Sequence, residues 1–174
     1  MNLQNSKLFS ALRFAAVGMI LLLTVAPGDA KERKSISPGD LETHLVDDVQ
    51  GPYTLTVEID GLRNSAGNID LLVFDQSQGW PDEIPYSIRK FEVRAVQGNM
   101  LVKVPNLPAG EYAVIVVHDE NLNRRIDKDW RGVPIEQWGM SNNPRVYMTT
   151  PAFHRAKFHM QSDMEIHVPM KLYP

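Results

Sequence analysis

Between Tyr53 and Asp60 apolar and polar side chains alternate without a break, Tyr, Leu, Val and Ile against Thr, Thr, Glu and Asp. A side-chain period of two is what a strand with one buried and one wet face requires. The same alternation returns near the other end, where Met164, Ile166, Val168, Met170 and Leu172 are set against Glu165, His167, Pro169 and Lys171. Between these two segments lie four short apolar or β-branched runs, Ile69–Phe74, Phe91–Val96, Met100–Val104 and Tyr112–Val117. Helical periodicity is scarce. The chain therefore reads as all-β, an antiparallel β-sandwich of immunoglobulin or transthyretin-like type, with about seven strands and long loops.

Local signals refine this. The Asn-, Ser- and Gly-rich stretch 61–67 predicts a hairpin joining the first two strands. Residues 75–90, with two prolines, a glycine and Trp80, read as a long irregular loop, and Gln97-Gly98-Asn99 as a turn. Gly110-Glu111-Tyr112 leading into a β-branched run suggests a tyrosine corner, in which the phenol bonds back to nearby backbone. Pro169 has no N–H for a ladder, which places its strand at an edge or a bulge. Leu41–Val46 suits a short helix or an edge segment, and Phe153–Met160 a helical turn or another strand.

The first 30 residues have the pattern of an export signal. Lys7 and Arg13 precede an uncharged, largely apolar run, Phe14–Val25, and Gly28 and Ala30 occupy the −3 and −1 positions of a cleavage site. The run is shorter than the roughly 20 residues of a spanning helix, so a cleaved signal is preferred to a permanent anchor. With no cysteine, lipid attachment at the cleavage point is excluded. The expectation is a periplasmic or secreted protein cut after Ala30, with no transmembrane segment in the mature chain. A polar leader over 31–50 and a single sandwich domain over 51–174 complete the organisation. Removing 30 of the 174 residues takes away two of the 18 basic and one of the 21 acidic residues, moving the formal charge from −3 to −4. That argues against nucleic acid as a partner. The absence of cysteine also excludes disulfides, thiolate metal sites and thiol nucleophiles.

One segment carries specific chemistry. In His118-Asp119-Glu120-Asn121-Leu122-Asn123-Arg124-Arg125-Ile126-Asp127, oxygen-bearing side chains counted from Asp119 stand at positions 1, 3, 5 and 9. That is the opening spacing of a calcium loop, whose alternate residues turn their oxygens toward one hard cation. The candidate ligands are Asp119, Asn121, Asn123, Asp127 and the backbone carbonyl of Arg125, with Glu136 able to fold back as a further one. Position 6, normally glycine, is Arg124, and position 12, normally glutamate, is Trp130. Four acids and four bases between Asp119 and Arg131 favour the competing reading, a loop stapled by its own charges. A calcium site here would be weak, roughly 10⁻⁴ to 10⁻³ M.

Other candidates carry less. His154, His159 and His167 lie near Met160, Met164 and Met170, donors suited to copper, but the methionines share the apolar face of the last strand and read as core fillers. Trp80, Trp130 and Trp138 fall in the two longest loops, where aromatics either plug the ends of a sandwich or make a binding surface. No nucleophile elbow, phosphate loop or paired metal-ligand histidine motif is present.

A series of blocks occurs in order: Gly110-Glu111-Tyr112-Ala113, His118-Asp119-Glu120-Asn121-x-Asn123, Gly132-Val133-Pro134-x-Glu136, Gly139-Met140-Ser141-Asn142-Asn143 and Pro151-Ala152-Phe153-x-x-Ala156-x-Phe158. Together they resemble the exported bacterial family called domain of unknown function 2141, over about residues 53–174. The resemblance implies a small secreted β-sandwich and no established activity. The chain departs from the family pattern at Leu122 and Arg124, where small glycine-like residues are usual, at Gln137-Trp138, which replaces a Gly-aromatic pair, and at Met140, which replaces an aromatic. The functional expectation is an exported, non-enzymatic binding or envelope-structural module whose loops meet a protein or glycan. A periplasmic divalent-cation-binding protein with calcium in the 119–127 loop is the alternative, and an uncharacterised hydrolase the third reading.

Overall fold

The computed structural model describes residues 50–146 and 149–172, together with the backbone of two short strands at 34–35 and 42–45. The expected export signal and cleavage point lie outside the described residues. In chain order the elements are β1 (Lys34–Ser35), β2 (Glu42–Leu45), β3 (Tyr53–Leu62), β4 (Asn68–Phe74), a 3₁₀ turn (Ile84–Tyr86), β5 (Arg89–Arg94), β6 (Gly98–Leu107), β7 (Gly110–Asp119), β8 (Trp138–Met140), the helical turn α1 (Phe153–Ala156), β9 (Phe158–Met160) and β10 (Met164–Pro169). Two sheets pack as a β-sandwich. One runs β1-β6-β3-β10, and the other β2-β5-β4-β7-β8, with β9 pairing the start of β7. Most pairs are antiparallel, but β1 on β6 and β10 on β3 are parallel.

The core between the sheets is built by the alternation seen in the sequence. Leu55, Val57 and Ile59 of β3 and Met100, Val102 and Val104 of β6 face Ile69, Leu71 and Val73 of β4, Phe91 and Val93 of β5, and Val114 and Val116 of β7. Each such side chain, fully buried, contributes roughly 1.5–3 kcal/mol of transfer free energy. At one end Tyr112 is buried and its hydroxyl donates to the carbonyl of Pro108 at 2.9 Å, the tyrosine corner expected from Gly110-x-Tyr112. β10 is an edge strand, which accommodates Pro169.

The hairpin expected between the first two strands does not form. β3 pairs with β6 and β10, whereas β4 pairs with β5 and β7, so the 61–67 stretch crosses from one sheet to the other. The burial of the strands explains the crossing. β3 buries a single face, but β4 buries both, Ile69, Leu71 and Val73 toward the core and Leu72 and Phe74 outward. A strand apolar on both sides needs a central position with cover on each face. A second correction concerns Trp138, read as a loop residue, which begins β8. The strand is short and centred on Gly139, and leaves no alternation to detect. Gly139 is there because a Cβ would fall 2.6 Å from the carbonyl oxygen of Pro169 and 2.9 Å from a Val168 methyl. That close approach lets Trp138 and Lys171 exchange backbone hydrogen bonds of 3.0 and 3.1 Å, tying one sheet to the other along an edge. Of the two open alternatives, 41–46 supplies an edge strand, while 153–160 divides into a helical turn and a strand.

Candidate functional site: a cleft walled by the acidic loop

The acidic loop leaves β7 at Asp119 and brings together the side chains of Asp119, Asn121, Asn123 and Asp127. Asp119 is buried; its two carboxylate oxygens accept the backbone N–H groups of Asn123 (3.1 Å) and Arg124 (2.6 Å). The side-chain oxygen of Asn121 accepts from the Asn123 N–H at 3.2 Å and that of Asn123 from the Arg125 N–H at 3.1 Å. Asp127 receives the side-chain amides of Asn121 (2.6 Å) and Asn123 (2.9 Å). Glu136 does fold back, and is buried, but it accepts the backbone N–H groups of Glu120 and Asp127, each at 3.0 Å. Every side-chain oxygen of Asp119, Asn121, Asn123 and Asp127 thus serves a donor of the loop itself. Leu122 and Arg124 hold the turn at φ 63° and 62°, the left-handed region that favours glycine.

The loop is anchored from the crossover below it. His118 is fully buried, with Nε2 2.7 Å from the carbonyl of Ala66. Glu120 is hydrogen-bonded by Arg63 and Asn64. Burial pushes its carboxyl up, but those two bonds and the charge of Arg63 outweigh it and hold it below the ordinary value. Gln137 closes the contact, accepting from the Arg63 N–H and donating to the Gly61 carbonyl, both at 2.9 Å. Beyond Asp127 a tight turn forms, in which Asp129 accepts from the N–H groups of Arg131 (2.9 Å) and Val133 (3.0 Å). Trp130, at its tip, is 92% exposed, with the Arg131 guanidinium 5.7 Å from its ring centre. His154, His159 and His167 are exposed, and among the described residues no three His, Cys, Asp or Glu side chains gather as metal ligands.

What this loop does for the rest of the molecule appears on the outer face of the second sheet. Cross-strand rows there run Glu92–Asp70–Val117–Trp138 and Lys90–Leu72–Ile115–Met140. Beyond them Phe74, Ala113 and Ala156 are covered by Trp80, which packs edge-on to Phe74 and Phe153 with centroids 5.4 and 5.9 Å apart and donates to the Pro151 carbonyl at 2.9 Å. At the Asp70–Val117 end the cover stops. A cleft of about 360 Å³ remains, floored by Asp70, Leu72, Ile115, Val117 and Trp138. Pro81, Asp82 and Ile84 wall it on one side, and Arg124, Arg125, Ile126, Lys128 and Pro134 belong to the acidic loop and its continuation. Ile126 is half-buried and lines this cleft; in a calcium loop that position would pin the loop to the core.

Asp70 is the residue that sequence reading missed. Its Oδ1 is buried without a hydrogen-bond partner among the described residues. Burial pushes its carboxyl up to about 6, with Glu92 and Asp119 adding to the shift and Lys90 and Arg124 opposing it. The signal was present, since one acid interrupts the otherwise apolar run Ile69–Phe74. On the wall, Arg124 is 3.9 Å from Glu92, but Arg125 and Lys128 make no ion pair among the described residues.

Over residues 57–167 the sequence matches the family described as "Uncharacterized protein conserved in bacteria (DUF2141)". The chain belongs to that family. No curated protein and no solved structure matches it. The DUF2141 blocks of the sequence can now be read structurally. Glu136 staples the loop, Gly139 permits the edge contact, and Ser141 bonds β7 to α1 through the Val114 N–H and the Ala156 carbonyl. Asn142, at φ 59°, donates to the Lys157 carbonyl behind α1 at 2.7 Å.

Proposed function

We propose that this protein is an exported, non-enzymatic binding module that holds a small ligand in the cleft on the outer face of its second sheet. The observation that carries the reading is the lining of that cleft. Val117, Ile126, Ile84, Pro81 and Pro134 present accessible apolar surface over the buried Leu72, Ile115 and Trp138, beside a carboxylate with an unused acceptor. A volume of about 360 Å³ lies in the roughly 300–1,000 Å³ range of small-molecule sites, and an apolar surface with few polar groups is their usual chemistry. The test is ligand-observed NMR on the mature protein with a library of small amphipathic molecules, repeated on Val117→Trp and Ile126→Trp, which fill the cleft from floor and wall. Hits lost in whichever variant keeps its circular dichroism spectrum support the reading. Hits that survive in both, or no hits at all, contradict it. Export itself is checked by intact mass, with Lys31 expected as the first residue of the protein outside the cytoplasm.

A weak calcium site in the 119–127 loop is the second reading. Asp119, Asn121, Asn123 and Asp127 all turn their oxygens inward, and a cation would replace the N–H donors that now fill that space. Calcium at ten times its Kd should then raise stability by about 1.4 kcal/mol, and EDTA should abolish the rise.

A further inference from the structure

We infer that the ligand of this cleft is an anionic amphiphile, with its apolar chain against Val117 and Ile126 and its head group between Arg125 and Lys128. The inference rests on the cleft being a binding site and adds the class of molecule it takes. Three features lead to it. The accessible lining at Val117, Ile126, Ile84, Pro81 and Pro134 is apolar, with Asp70 as the one polar side chain on the floor, so it offers no row of polar groups to recognise a sugar or a peptide backbone. The acidic-loop wall carries three cations, of which only Arg124 has a carboxylate nearby; Arg125 and Lys128 are free to pair with a ligand. The volume, near the lower end for ligand sites, suits one alkyl chain better than two.

The orientation follows from desolvation. An alkyl chain gains by covering Val117, Ile126 and Ile84, whereas a head group loses hydration wherever no counter-charge meets it. Arg125 and Lys128 are exposed, so a head group there keeps part of its water and gains two cations. Both side chains project from a loop whose backbone is held by Asp119, Asn123 and Glu136, so they are presented from a fixed frame.

Titration calorimetry with three ten-carbon probes below their micellar concentrations tests this: decanesulfonate, decan-1-ol and decyltrimethylammonium. Decanesulfonate is expected to bind tightest, and the paired change Arg125→Gln with Lys128→Gln should weaken it about tenfold while leaving decan-1-ol within twofold. Raising the salt concentration should reduce the advantage of the sulfonate over the alcohol. If the alcohol or the ammonium binds as well as the sulfonate, or the paired change alters nothing, the anionic assignment is overturned while the cleft remains a binding site. If none of the three binds, the anionic assignment and the binding-site reading fall together. Neither Arg125 nor Lys128 makes a contact that holds the fold through its side chain, so the variant should fold normally.

Discussion

Asp70 sits where a strand buried on both faces has no reason to place an acid. Its carboxyl, pushed from 3.8 up to about 6, binds a proton more tightly in the folded than in the unfolded chain. The stability linked to that proton is fully present below 3.8 and is lost as pH rises through about 6. Asp70→Asn keeps the neutral shape at every pH. It is expected to match the parent near pH 4 and exceed it at pH 7.5 by on the order of 1–2 kcal/mol, once the partial exposure of the group is allowed for. Urea unfolding at the two pH values checks this, and an identical difference at both contradicts it. Leu122 is the second residue held against its preference, exposed and left-handed. The left-handed region costs a side-chain-bearing residue roughly 1–2 kcal/mol, and glycine gives back part of that in unfolded-chain entropy. Leu122→Gly should therefore stabilise by up to about 1 kcal/mol, and Leu122→Ala, which keeps the strain, should not. Equal midpoints for the two variants would remove strain as the explanation.

At the scale of the element, the loop from Asp119 to Glu136 is a structure in its own right, and the sequence showed only part of it. The inward spacing of Asp119, Asn121, Asn123 and Asp127 was legible because oxygen side chains at alternate positions of a turn face its interior whatever fills it. Which donors they meet was not legible, because backbone N–H groups leave no mark on a sequence. Glu136 lies far enough along the chain that only the fold decides what it accepts. Asp119→Asn separates a hydrogen-bonded staple from a cation cage. The variant keeps an oxygen but brings an amide against the N–H groups of Asn123 and Arg124. It is expected to cost roughly 1–3 kcal/mol equally in EDTA and in millimolar calcium. A loss that appears only when calcium is present would instead favour the metal reading. The β3–β4 crossover teaches the same limit. An alternating strand followed by an Asn- and Gly-rich stretch permits a hairpin, and the double-sided burial of β4, visible in Ile69–Phe74, was the cue that it belongs to the other sheet.

At the scale of the whole molecule, the sandwich class was readable from strand alternation, since one buried face per strand admits few architectures. The parallel placement of β10 against β3, and of β8 against the edge of β10, was not readable, because strand order depends on contacts between distant segments. The cleft is a product of that order. It exists where two long loops meet over the outer face of β4, β7 and β8 and leave Val117 partly uncovered. Floor, wall and charge therefore come from segments more than 60 residues apart in sequence, Asp70 and Trp138 among them. The claim that this cleft is a ligand site is tested most directly by intermolecular NOEs between unlabelled decanesulfonate and the isotope-labelled protein. Contacts from the alkyl chain to the methyl groups of Leu72, Ile115, Val117 and Ile126 are the expected result. NOEs to another surface alone, or to no methyl group at all under saturating probe, would contradict the account.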